Sequence, residues 1–307
     1  MFENVVSGWR IASSIRKLAL RDRGLLIYPI ISAVIMIIEA IAVFVPLALL
    51  SLGAYSSYGG SYGILFIYGI LFIIALFVYY VVVYFTATYV LVAMLLAFRS
   101  YEDGSKMGIG AAFSKASSYS VVILEWALFE AIVTMVIRAI EQRLGALGGI
   151  IFGLAASIAM SIATAFAVPV IVDKRTGPIS TLKESTGFII KNFGKTFGGL
   201  LFTDLYAMIF LFIGLGLIVV AFLSISVSIV VAVIIGVIGV IFMLYGAMLN
   251  YILGNIYKFV LYDVKNGGKV PKGLTKDLLM SGVRQKKNRG SVGILGGNMP
   301  GGFGGPM

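Results

Sequence analysis

Four acidic side chains interrupt long apolar runs: Glu39, Glu125, Glu130 and Asp204. An ionisable group at bilayer depth costs roughly 2.5–3.5 kcal/mol on insertion scales, so each is a candidate functional residue. The chemistry open to them is proton or cation binding between helices. Glu125 lies near the start of its run and reads as a helix-start carboxylate, held by an amphipathic elbow or a basic loop residue. Asp204 reads similarly, in the first turns of its helix, where the macrodipole favours an acid. Glu39 and Glu130 lie deeper. If they hold protons, they can simply hydrogen-bond helices together; a sharper alternative is a proton- or cation-binding site between the first and third spans, and a third is a subunit interface.

Other chemistry is narrowly bounded. The chain has no cysteine and no histidine, which excludes disulfides, thiolate nucleophiles, zinc or haem sites built on Cys or His, and Ser-His-Asp triads. No metal and no cofactor is expected, and no acid pair stands at a spacing that argues for an intramembrane enzyme. Arg138 reads as the only base within a span. It precedes Glu141 by three residues, a same-face spacing, and Arg143 is close by. The three form an expected salt-bridge cluster on the outer face, closing the turn between spans 3 and 4. Tyr79, Tyr80, Tyr84, Thr86, Thr88 and Tyr89 could line a cavity, but packing and interface anchoring is the preferred reading.

The elements that must position these residues are spanning helices. The chain is 60% hydrophobic and 12% charged, against about 25% charged in soluble domains. Apolar runs of 18 or more residues read as transmembrane helices. They fall at about 24–52, 62–98, 119–140, 144–172, 197–223 and 225–257. We therefore expect one transmembrane domain over residues 1–262 and a basic, then glycine-rich, tail over 263–307. The basic N-terminal stretch resembles a signal peptide only superficially: the apolar run is too long and no A-x-A site follows, so it reads as a retained first span.

Of the 24 basic residues, all but Arg138 and Arg143 fall in the two terminal segments or the loops after spans 2 and 4. The positive-inside rule then places both termini in the cytoplasm. The net charge of +11 becomes a belt facing anionic lipid head groups. Expected contacts are Trp9, Arg10, Arg16, Lys17, Lys183, Lys191 and Lys195. Because the charge is spread over every inner loop, nucleic-acid binding is not expected.

Each pair of spans is preceded by an amphipathic segment. In residues 179–197, Ile179, Leu182, Thr186, Ile189, Ile190, Phe193 and Phe197 recur at helix-face intervals. Phe2, Val5, Val6, Trp9 and Ala12 share a face ahead of span 1, a weaker segment covers 111–118, and a fourth, with Val270, Leu274, Leu278 and Val283, follows span 6. The exits of the even spans each carry an acid, a base and a glycine, ending at Gly104, Gly177 and Gly267, which suits helix termination. The expected fold is an all-α polytopic membrane bundle of about six transmembrane helices, arranged as three hairpins with cytoplasmic amphipathic elbow helices.

Ser7-Gly8-Trp9, Asp22 through Leu26, Pro29 and Ser32 resemble the opening of an uncharacterised prokaryotic family of six-span membrane proteins. Glu125 through Leu128 and Ile140 through Gly145 are similar to its third span. Ala167 through Val170, Gly177-Pro178-Ile179 and Leu182 through Ser185 are similar to its fourth span and elbow. The resemblance covers roughly residues 1–200 and implies a fold, a topology and a prokaryotic plasma membrane, but no activity. A looser likeness is to the membrane domains of some glycerophosphodiester phosphodiesterases, whose catalytic domain is absent here. The function expected is that of a structural or accessory membrane protein, not an enzyme, binding anionic lipid and assembling as a homo-oligomer or with other membrane proteins. The alternative is a transporter or channel for a small solute, ion or lipid using the intramembrane carboxylates.

Overall fold

The computed structural model describes residues 13–58 and 62–271. It is all-α, and six stretches of helix are long and apolar enough to cross a membrane. Residues 13–19 are helical. Asp22 then accepts the Gly24 N–H and caps a 3-10 turn, Arg23–Leu26. Helix α1 is Ile27–Tyr58 and α2 is Tyr62–Glu102. A short α3, Ile109–Ser117, leads into α4, Ser120–Arg143. Helices α5, Gly145–Thr164, and α6, Ala167–Lys174, follow. The chain continues through α7, Pro178–Ser224, and α8, Ile229–Lys265.

Successive spans pair as three hairpins: α1 on α2, α4 on α5, and α7 on α8, with α2 also packed on α4. The α7–α8 seam shows why these helices approach closely. A Cβ on Gly214 would sit 2.6 Å from the Gly239 carbonyl, and one on Gly239 would sit 2.9 Å from the Gly214 carbonyl. Small residues let backbones meet where lipid offers no hydrophobic drive. Gly216 and Gly236 lie off the tightest contacts; Gly216 has nothing within 4 Å of its would-be Cβ.

Three features depart from the pattern read in the sequence. The fourth span is divided into α5 and α6. Pro169 lacks an N–H and its ring crowds the carbonyl of Ala165, which breaks the helix just ahead of it. The freed backbone groups are satisfied from α7: Ser185 Oγ accepts the Phe166 N–H at 3.0 Å, and the Thr186 hydroxyl donates to the Ala163 carbonyl at 3.4 Å. Secondly, the elbow at 179–197 is not a separate helix. It is continuous with the fifth span in α7, because glycines weaken a helix without stopping it and no proline follows Pro178 within that helix. Thirdly, Gly104 and Gly267 do end their helices with positive φ, but the exit of the fourth span uses Arg175, at φ 51°. Gly177 instead stays extended as the N-cap of α7, with Pro178 in the first turn.

Burial is concentrated at the end of the bundle where the connecting segments are basic, here the basic end. Val92 and Ala93 of α2 are fully buried, whereas Phe66 near its other terminus is 71% exposed. Ile252 and Ile256 of α8 are likewise buried, and Val230 is exposed. The short segments complete this core through Ile15 and Leu18, through Ala112 and Ala116, and through Thr181, Ser185 and Ile189. Helix α2, with 41 residues, is about 61 Å long at 1.5 Å per residue. That is twice the roughly 30 Å hydrocarbon layer, so long helices project beyond the bilayer. The broad apolar surface at the far end matches lipid or neighbouring membrane helices.

Candidate functional site

Glu39 on α1 meets Thr86 on α2, whose hydroxyl donates to Oε1 at 2.5 Å. Its other oxygen, Oε2, is buried without a hydrogen-bond partner. Glu130 on α4 lies beside the Trp126 indole, one turn earlier. It lies near Tyr84 of α2, whose hydroxyl is 2.7 Å from Thr134 Oγ1. Tyr84 and Thr86 point about 200° apart around their helix. Glu39 and Glu130 thus flank α2 from different sides, and the structure does not bring them together.

The tyrosines of α2 are engaged in packing. Tyr79 meets Phe44 edge-on at 4.9 Å between centroids, Tyr80 stacks on Tyr84, and Tyr89 stacks on Phe113. The Tyr89 hydroxyl also donates to the Phe113 carbonyl at 2.9 Å, which ties α3 onto α2. Thr88 is buried.

Asp204 requires a correction. Helix α7 starts at Pro178, so Asp204 lies far inside it and the helix-start dipole does not act there. Its electrostatic partner is Lys258 of α8. The sequence reading ends span 6 at Tyr257 and leaves Lys258 in the tail, so Arg138 is not the only base within a spanning helix. The missed signal is the run Phe259 through Tyr262, all buried, which carries the helix past the single lysine. Glu125 is exposed, and its Oε2 would lie 3.6 Å from a Cβ on Gly177, at the start of α7.

At the far end, Arg138 and Glu141 pair at 3.2 Å. Glu141 lies over the glycines of α5: a Cβ on Gly149 would come within 2.6 Å of its carbonyl, and Gly153 lies against its carboxylate. An open cleft of about 610 Å³ runs along this ion pair and over Gly145, Gly149 and Ser157. Arg143 is the last residue of α4.

The basic end is laced by ion pairs. Arg99 binds Asp263 at 2.5 Å, Lys106 binds Asp22 at 3.2 Å, and Lys269 binds Asp103 at 3.4 Å. Lys174 Nζ lies 2.5 Å from Glu184 Oε1, which also accepts the Tyr262 hydroxyl at 2.6 Å. Partial burial pushes the Glu184 carboxyl up, but these two hydrogen bonds and the Lys174 charge outweigh it, so its pKa lies below the ordinary glutamate value. Arg16 lies over the Tyr206 ring at 4.4 Å and Arg175 over Tyr119 at 4.0 Å. Lys17, Lys183 and Lys191 are exposed. Trp9, Arg10 and the side chain of Lys195 lie outside the described residues, as does the tail from 272. Two clefts open here, one of about 150 Å³ by Arg99 and Asp263 and one of about 540 Å³ where α7 begins and α8 ends. Among the described residues, no three acidic side chains gather into a group that could hold a metal ion.

Six apolar spanning helices, packed at one charged end and apolar elsewhere, define a multi-pass membrane protein. The chain belongs to a family of unknown function, DUF6159, whose profile matches residues 64–272. The match takes in α7 and α8 and leaves out the first span, whereas the resemblance read in the sequence ran over roughly 1–200. No curated protein and no solved structure matches the chain.

Proposed function

We propose that this is a structural or accessory membrane protein, not an enzyme, whose basic end faces the cytoplasm and holds anionic lipid of a prokaryotic plasma membrane. The observation that supports it is the asymmetry of the bundle. The basic end combines a packed core, an ion-paired rim and exposed lysines such as Lys17, Lys183 and Lys191, while the far end offers mainly apolar surface. Each surface lysine near an anionic leaflet gains about 1 kcal/mol of attraction. The apolar far half suits contact with lipid, a second copy or another membrane protein. Reconstitution into vesicles of mixed phosphatidylglycerol and phosphatidylcholine tests this reading. Lipid exchange should report enrichment of phosphatidylglycerol around the protein, weakening as salt rises. No enrichment would overturn it.

One observation favours a second reading, a proton or cation pathway: the buried, unpartnered Oε2 of Glu39. Neither Glu39 nor Glu130 lines the three clefts described above, which is why this reading ranks second. Proton flux in liposomes that is present in the unmodified protein and abolished in Glu39→Gln would reverse the order. Absence of flux in both supports the accessory role.

A further inference from the structure

We propose that the 540 Å³ cleft at the junction of α7 and α8 is a binding site for a phosphate-bearing lipid head group, an assignment that rests on the accessory, lipid-binding reading above. Its walls include Lys183, Gly187 and Lys191 of α7 together with Lys265 and Asn266 at the end of α8. Three lysines from two helices therefore line one cleft. Among the described residues none of the three is in an ion pair, although Lys174, Lys106, Lys269, Arg99 and Arg138 all are. The one carboxylate on the rim, Glu184, is already held by Lys174 and by the Tyr262 hydroxyl. Its charge is answered from outside the cleft, and the three lysines remain available to an anion. Gly187 has nothing within 4 Å of its would-be Cβ, so a phosphate can approach the α7 backbone there, and the exposed Asn266 amide adds a neutral donor.

The helix itself points to a lipid rather than a soluble phosphate. At about 100° per residue, Ile179, Ile190 and Lys183 fall within about 40° of one another, and Gly187 and Lys191 follow on the cleft side. Ile179 and Ile190 are 66% and 73% exposed. The buried side, Thr181, Ser185 and Ile189, faces the opposite way into the core. Large apolar side chains left outward beside a lysine-lined cleft are the pattern of a helix that meets acyl chains with one strip and head groups with the next. Three unpaired positive charges suit a phosphomonoester, such as that of phosphatidic acid, better than a zwitterionic head group.

The test uses the full chain in phosphatidylcholine nanodiscs doped with fluorescent phosphatidic acid. Lys183→Gln/Lys191→Gln/Lys265→Gln is expected to lose about tenfold or more in affinity, and the charge-keeping triple arginine variant to regain it. Lys106→Gln/Lys269→Gln, at the same end but outside the cleft and each already answered by an aspartate, should change affinity by less than about twofold. Equal losses in the two glutamine variants, or none, would overturn the site. Inorganic phosphate at millimolar concentration should not displace the lipid; displacement that depends on the three lysines would assign the cleft to a soluble phosphate instead. If the unmodified chain shows no preference for any anionic lipid, the accessory reading itself falls. If it keeps that preference after the cleft lysines are replaced, only the site falls.

Discussion

Glu184 joins three elements through one carboxylate, bonded by Lys174 of α6 and Tyr262 of α8. Its pKa is lower folded than unfolded. The stabilisation it contributes is therefore present above the unfolded value of about 4.3 and is lost as pH falls through the lower folded value. Glu184→Gln should lower stability by about 1 kcal/mol at pH 7. In thermal unfolding in detergent, the gap to the unmodified protein should be flat from pH 5 to 8 and close on acidification; a gap that widens in acid would contradict the assignment. Thr86→Val removes the donor to Glu39 Oε1 and should cost about 1–3 kcal/mol, read in the same assay. At this scale the sequence was legible where partners share a helix. The Arg138–Glu141 pair follows from its spacing of three. Asp204 and Lys258 were not legible as partners, because their meeting depends on the register of α7 against α8, which no single-helix pattern encodes.

Between elements, one close contact is the glycine seam of α7 and α8. Gly214→Ala places a methyl 2.6 Å from the Gly239 carbonyl and should cost about 1–3 kcal/mol by overpacking. Gly216→Ala, two residues on and open to its surroundings, should be neutral or slightly stabilising, since alanine is the better helix former. Equal effects in the two variants would show that the seam is not a tight contact. The α5–α6 break offers another check. Ser185→Ala leaves the buried Phe166 N–H without its acceptor and should lower the unfolding temperature, at a cost of about 1–3 kcal/mol. Hydropathy located the spans because lipid demands long apolar helices. It did not reveal the break, because Pro169 sits in a run that is apolar on both sides, and the acceptor that makes the break tolerable comes from another helix. It also separated the elbow from the fifth span, since amphipathic and uniformly apolar stretches look like different elements even when one helix carries both.

The molecule as a whole has its ordered core and its charge at the same end. The charge asymmetry could be read from which loops are basic; the core could not, because the apolar residues of α2 and α8 are as abundant at the far end as at the basic end. Both the lipid-binding role and the lysine cleft depend on that end facing the cytoplasmic leaflet. The absence of cysteine allows a direct measurement. Single replacements Ser114→Cys, exposed in α3, and Ser226→Cys, exposed between α7 and α8, can be treated with a membrane-impermeant maleimide in intact cells. The cysteine at 226 should react from outside, and the one at 114 only after permeabilisation. Labelling of 114 but not 226 in intact cells would contradict the orientation and, with it, the proposed function.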